Sequence, residues 1–371
     1  MKSLFAAFLV AHGLIHLLGT VRAFRIAPVP LLTQQIGRPL GIVWSLAAVL
    51  FIAAAICLFT WPRWWWAVGG VALVLSQLVI ASSWSDARFG TIANVLALAG
   101  VAFGFLSHGP ASFRAEYERE VARGVARPVA AAILSEHDVA SLPSLVQRYI
   151  RLSGAIGRPR VHSFRARFHG QIRSGPAARW MTFTGEQYNF FDQPSRLFLM
   201  DASLFGLPVQ AFHEFVGPAA TMRVKLASLV SMVDAKGPEM DQAETVTLFN
   251  DLCVMAPGAM INPQIRWREI DAQSVGASFT NARYTIHAVL TFNALGELIN
   301  FTSDGRAAAA ADGKSSTRMP WSTPLSEYRA FGSQRLMSHG EGIWHAPAGD
   351  YSYLRYDLDV IEYNVAGARP P

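Results

Sequence analysis

Two histidines four residues apart, His12 and His16, lie inside an apolar run, Leu4–Val21, that holds no Lys, Arg, Asp or Glu. At i and i+4 they share one face of a helix. Ionisable groups inside a membrane-length apolar stretch are costly and point by default to function. Such a pair can bind a metal or haem, relay protons, or hydrogen-bond other helices and specify their packing. Metal sites normally need three or four ligands, and the apolar runs hold no further His or Cys pair at ligand spacing. The metal is left unassigned, no cofactor is expected, and packing is the default reading.

Four more polar residues belong to the same region. Asp86 and Arg88 stand at the start of the fourth apolar run, spaced for an interfacial ion pair. Gln77 in the third run and Asn94 in the fourth are expected to bond between helices. A polar site shared with His12 and His16 is the functional alternative.

The elements that must position these residues are four apolar runs, Leu4–Val21, Leu40–Thr60, Trp64–Ser82 and Phe89–Ser107. A helix of about 20 apolar residues spans a bilayer core and satisfies its own backbone there. A cleaved signal peptide has a shorter apolar region, so the first run is read as a retained helix. Trp61, Trp64, Trp65 and Trp66 cluster between runs two and three, fitting an interfacial aromatic belt or the packing of a helical hairpin.

Charge follows the same division. The whole chain of 371 residues carries +6. Residues 1–110 hold six bases and one acid, so most of the excess is loop arginine between spans. That explains the basic balance without nucleic acid, which is not expected as a partner. The arginines of the loops after the first and third runs outnumber the basic residues of the opposite side, counting only loops and the N-terminus. This places the β-rich part outside the cytoplasm of a bacterial inner membrane. Cys57 and Cys253 lie in different parts of the chain, and no disulfide is expected between them.

Beyond residue 110, Arg114–Arg127 alternates acids and bases and reads as an exposed helix or stalk. Leu142, Leu145, Val146, Tyr149, Ile150 and Leu152 then recur at helical spacing. From Val161 the period changes to two, in Phe164–Ile172, Tyr284–Phe292 and Leu354–Val360, with weaker strand candidates between, Thr221–Val233 among them. One helix, about 240–256, interrupts the strands and shows an apolar face of Leu248, Leu252 and Met255. The segment Arg306–Arg318 reads as a mobile loop.

The expected architecture is therefore a four-helix membrane bundle (1–110), a charged stalk and amphipathic helix (111–158), and an α+β domain (159–371). A curved antiparallel sheet, half-barrel or barrel-like, dominates that domain. An apolar concave face would hold a lipid or other apolar small molecule. Phe164, Phe168, Phe183, Tyr284, Ile286, Phe292, Tyr356 and Leu358 would line it. His169 and His287 fall on polar strand faces and read as solvated. No nucleophile elbow, zinc-protease motif, phosphate loop or dinucleotide fingerprint occurs, and no catalytic residue is assigned. A membrane enzyme using His12 and His16, and a scaffold that only docks partners, are the alternatives.

Four segments carry a resemblance: Ala11–Gly19 (AHGLIHLLG), Trp84–Asn94 (WSDARFGTIAN), Val233–Gly237 (VDAKG) and Arg266–Ile270 (RWREI). With them the chain resembles a bacterial family of unknown function that pairs a four-helix membrane front with a β-rich tail. The resemblance implies that architecture and no activity. In strand count and helix placement the tail is also similar to the half-barrel of bacterial lipoprotein carriers.

Overall fold

The computed structural model describes residues 2–129, 132–309 and 316–365. They form two compact units that divide between Glu116 and Tyr117.

The first unit contains α1 (Lys2–Phe24), α2 (Arg38–Thr60), α3 (Trp65–Ser82), the single turn α4 (Trp84–Ala87) and α5 (Gly90–His108). Helix α6 (Phe113–Val125) straddles the division. Four helices are long and apolar enough to cross a membrane. Their burial is inside-out relative to a water-soluble bundle. Ile15, Ile42, Val49, Val74 and Ile92 are exposed, whereas His12, His16, Ser76 and Asn94 are buried. A soluble protein rarely exposes so much apolar surface, and hydrocarbon is the solvent that suits it. Helices α1 and α2 approach closely because glycine lines the crossing. A Cβ on Gly41 would lie 2.3 Å from that of Ala23, and one on Gly13 would lie 3.0 Å from the Ala48 carbonyl oxygen. The tryptophan cluster divides its labour: Trp61 and Trp64 are exposed, while Trp65 is buried against the Phe5 ring at 5.7 Å.

The second unit opens with the short helix α7 (Glu136–Val139) and α8 (Ser144–Leu152). A meander follows: β1 (Ser163–Ile172), β2 (Met181–Phe190), β3 (Ser195–Leu204), β4 (Leu207–Val216), β5 (Ala219–Leu226) and β6 (Val230–Lys236). Helix α9 (Pro238–Met255) comes next, then β7 (Ile265–Glu269), β8 (Ser274–Asn281), β9 (Tyr284–Phe292) and β10 (Leu298–Ser303). Two small hairpins, β11 (Ala307–Ala309) with β12 (Ser316–Arg318) and β14 (Arg329–Phe331) with β15 (Gln334–Leu336), flank β13 (Trp321–Ser326). The described chain closes with β16 (His339–Ala346) and β17 (Gly349–Tyr363).

Thirteen of these strands make one antiparallel sheet in the order β6-β5-β4-β3-β2-β1-β17-β16-β13-β10-β9-β8-β7, and its two edges do not pair. Strands β5 and β9 are nine steps apart in that order. Laid flat, they would stand roughly 40 Å apart at about 4.8 Å per strand. Yet one side chain, Asp241 of α9, accepts hydrogen bonds from the Ala220 backbone N–H of β5 at 2.8 Å and from the Tyr284 hydroxyl of β9 at 3.0 Å. Asn281 Nδ2 also donates to the Gly217 carbonyl at 3.0 Å, from β8 to the β4–β5 turn. The sheet is therefore curled round α9 into a half-barrel.

Helix α9 is buried on every side from Ala243 to Met255, not only on the apolar face that its sequence presents. Val246, Leu248, Phe249, Leu252, Val254 and Met255 all belong to the core. At about 1.5–3 kcal/mol each, they supply on the order of 10 kcal/mol toward docking the helix.

Three other sequence expectations change. Helix α6 is not a solvated stalk: Tyr117 and Val121 are buried, the Tyr117 ring sits against Tyr188 and Phe212, and Gly124 faces Phe190. Its charged repeat had concealed a contact stripe. The candidate strand Thr221–Val233 is two strands, because Ala227 and Ser228 adopt positive φ and turn the chain. The flanks of Arg306–Arg318 pair as β11 and β12, and residues 310–315 lie outside the described chain.

Candidate functional site

Within the first unit, His12, His16, Gln77 and Asn94 meet in one buried hydrogen-bond network with Ser76. His12 Nε2 is 2.8 Å from Asn94 Oδ1, and His16 Nδ1 is 2.8 Å from the His12 carbonyl oxygen. His16 Nε2 is 2.8 Å from Ser76 Oγ, which is itself 2.9 Å from Asn94 Oδ1. Asn94 Nδ2 donates to Gln77 Oε1 at 3.0 Å. A carbonyl accepts only, so His16 Nδ1 carries a proton and, in the neutral ring, Nε2 accepts from Ser76. The single Ser76 proton serves either His16 or Asn94. The network ties α1, α3 and α5 together and uses both ring nitrogens of His16 and Nε2 of His12. Among the described residues, no group of three or more His, Cys, Asp or Glu is arranged to hold a metal ion.

Asp86 and Arg88 are apart from this network and from each other. Asp86 accepts from the backbone N–H groups of Thr33 and Gln34 at 2.6 and 2.9 Å and from the Thr33 hydroxyl at 2.8 Å. It thereby pins the α1–α2 loop. The Arg88 guanidinium lies over the Phe89 ring. The expected ion pair does not form because backbone donors occupy the carboxylate.

In the second unit one end is sealed by α9 and the other, the open end, is less covered. Strand registers fix the inner-face rows. One row runs Phe164, Asn189, Arg196, Phe215 and Ala220, and α9 covers it completely. The rows beyond it are less covered. Phe198, Leu204, Val224, Leu226, Tyr353 and Tyr356 are only partly buried against the core. The β3–β4 and β5–β6 turns both lie at this end, since β1–β6 is a simple meander. They carry Phe205, 80% exposed, with Leu207, Leu229 and Val230 also exposed. Of the eight residues expected to line a pocket, Phe164, Ile286, Phe292 and Leu358 are fully enclosed core. Tyr284 binds Asp241 at the helix N-terminus. Phe168, Phe183 and Tyr356 are those nearest the open end, where Phe168 meets the rings of Tyr356 and Phe198.

A charged knot separates the two ends, and its members were not singled out from the sequence as a group. Arg196 Nε donates to Asp251 Oδ2 at 2.7 Å, Nη1 to Glu244 Oε2 at 3.3 Å and Nη2 to Gln187 Oε1 at 3.2 Å. Gln187 and Asn189 also donate to Asp251, and His213 Nδ1 stands 3.6 Å from Glu244. Burial pushes the Glu244 carboxyl up, but Arg196 and His213 outweigh it and hold the group at about 2. For Asp251 burial wins, and its carboxyl is raised despite the guanidinium. The available signal was Glu244 and Asp251 at i and i+7, two turns apart on one helix face. Burying ions costs several kcal/mol each, in the region of what pairing returns, so the apolar side chains drive the helix in and the knot sets its register.

Ser322 Oγ lies 2.8 Å from His345 Nε2, and His345 Nδ1 lies 2.7 Å from Asp350 Oδ2. This is the bonding order of a serine-hydrolase triad. Ser322, however, is 2% exposed and lies near the start of β13, paired with β10 on one side and β16 on the other. Its flanking amides are directed into the ladder, not at an oxyanion, so the chain of bonds reads as a brace across the sheet. His169 and His287 are likewise partnered, by Asp359 at 2.8 Å and Ser278 at 3.0 Å.

A family profile matches residues 132–356, more than half of the chain. The chain belongs to DUF6544, a family of unknown function. Its DUF6544 region covers nearly all of the half-barrel. No curated protein matches the chain. Among solved structures, a DUF1329 family protein from Desulfovibrio piger is similar over 64% of this chain and 96% of its own, at 10% identity and a TM-score of 0.35. A putative outer membrane lipoprotein-sorting protein domain from Vibrio parahaemolyticus covers 54% and 85%, at 8% identity and 0.31. A LolA superfamily protein from Nitrosomonas europaea covers 59% and 92%, at 8% identity and 0.32.

Proposed function

We propose that this DUF6544 member is an integral protein of a bacterial inner membrane whose half-barrel holds a lipid or other apolar molecule at its open end. The observation that carries the reading is the pairing of partly buried apolar inner rows with an exposed apolar rim, Phe205, Leu207, Leu229 and Val230, around that end. A folded domain seldom leaves such a patch to water without a use for it. The rim gives an apolar molecule a path in, and Phe198, Val224, Leu226 and Tyr356 give it a surface to lie on. The sealed end and the charged knot set the depth. The arginines of the loops after the first and third apolar runs support an extracytoplasmic half-barrel.

The test is native mass spectrometry of the full chain released from nanodiscs. Wild type is expected to keep one lipid-mass adduct under activation that strips detergent. V224W/L226W, which fills the inner face from β5, is expected to lose it. An adduct absent from wild type, or unchanged in V224W/L226W, overturns the reading.

A further inference from the structure

A cavity of about 540 Å³ lies beside edge strand β7, lined by β7–β10, the loop after β10 and Gln242 near the start of α9. Period-two alternation explains its chemistry. Ile265 and Trp267 turn toward the core, so Arg266 and Arg268 project outward. Register places Arg266 in a row with Ser278 and His287, and Arg268 in a row with Gly276, Val289 and Thr302. Gly276 lacks a side chain where the Arg268 guanidinium lies, 3.4 Å from the place a Cβ would take. Arg318 reaches the same cavity from β12, donating from Nε to the Asp304 carbonyl at 2.8 Å.

Three guanidinium groups therefore line one concavity with, among the described residues, a single carboxylate, Asp304. Among the described residues none of the three forms an ion pair. Like charges gathered in a cleft repel one another and focus a positive potential into it. A planar guanidinium offers paired donors that match phosphate oxygens, and the Thr302 hydroxyl and the His287 ring also line the cavity. The volume leaves room for a substituent beyond the phosphate, within the range of small-ligand sites.

We propose that this cavity is a binding site for a phosphate group, carried by a lipid headgroup or by a small soluble molecule, with Arg266 and Arg268 as its principal contacts. The proposal does not depend on the open end, which is formed by other strands, β3–β6 and β17. The experiment titrates the full chain in detergent with inorganic phosphate by calorimetry, then measures the chain in nanodiscs against vesicles of phosphatidylglycerol in phosphatidylcholine. R266Q/R268Q is the test variant. R148Q/R158Q, exposed and outside the cavity, removes the same charge elsewhere. Saturable binding that weakens as salt rises, and falls about tenfold or more in R266Q/R268Q alone, supports the site. Phosphate binding assigns a soluble ligand, and binding to the anionic vesicles alone assigns a headgroup. No saturable binding of either probe, or equal losses in both double variants, overturns it.

Discussion

Replacing Arg196 by methionine should uncouple α9 from the sheet. Methionine matches the stem of the side chain but removes three hydrogen bonds, to Asp251, Glu244 and Gln187. It leaves Glu244 and Asp251 without the guanidinium they share. Removing one partner of a buried ion pair costs about 3–5 kcal/mol, which is roughly a 10²- to 10⁴-fold change in an opening equilibrium. The assay is hydrogen exchange on the full chain in detergent, followed in the peptide covering residues 238–255. The triple variant R196M/E244Q/D251N, whose knot is neutral, should recover most of the lost protection. Acidity separates the two proteins further. In wild type Glu244 is held at about 2, below its ordinary 4.5. Its contribution is complete above about pH 4.5 and is lost as pH falls toward 2. Asp251, raised by burial, works in the opposite sense and softens that slope. Without Arg196 burial is opposed only by the weaker influence of His213 and Arg306 on Glu244 and of Asn189 and Gln187 on Asp251. Both carboxyls therefore move up, and acidification neutralises them and narrows the deficit of R196M. Unchanged exchange in R196M, or a deficit that widens as pH falls, would refute the reasoning.

Two predictions concern the helical first unit. N94L removes the bonds from Asn94 to His12, Ser76 and Gln77. At about 0.6 kcal/mol per interhelical bond, it should lower stability by roughly 2 kcal/mol in detergent unfolding titrations, and a change below a few tenths would mean the network is not a brace. G41V places side-chain carbon where Ala23 already packs. A cysteine pair across the α1–α2 crossing should therefore crosslink more slowly in G41V than in the parent, and equal rates would show that this crossing is not a close one.

Much of the architecture is local and hence readable. The four long apolar helices follow from uninterrupted apolar length, and the strands from alternation. Ala11–Gly19 also disclosed part of its site, because two histidines in an apolar helix have few inexpensive fates. What the sequence hid is set by tertiary context. The burial of α9 on all sides exists only because a sheet of thirteen strands wraps it. Arg196 reads as an ordinary strand arginine until β3 is registered against β2 and α9. The expected pocket residues are apolar in the right alternation, yet alternation says which face a side chain takes and not which end of the face stays open. Asp86 looked like half of an ion pair because its true partners are backbone amides of a loop some fifty residues earlier.

The join between β1 and β17 has a consequence for how the molecule is made. His169 and Asp359, which meet across that seam, are 190 residues apart. During synthesis β1 emerges with β2 as its only neighbour and must keep its other edge unpaired until β17 leaves the ribosome. Such distant pairing is slow, and an open strand edge invites foreign partners. The growing chain is thus most exposed to misassociation in the interval before β17 arrives, which is when a chaperone would matter most to its yield.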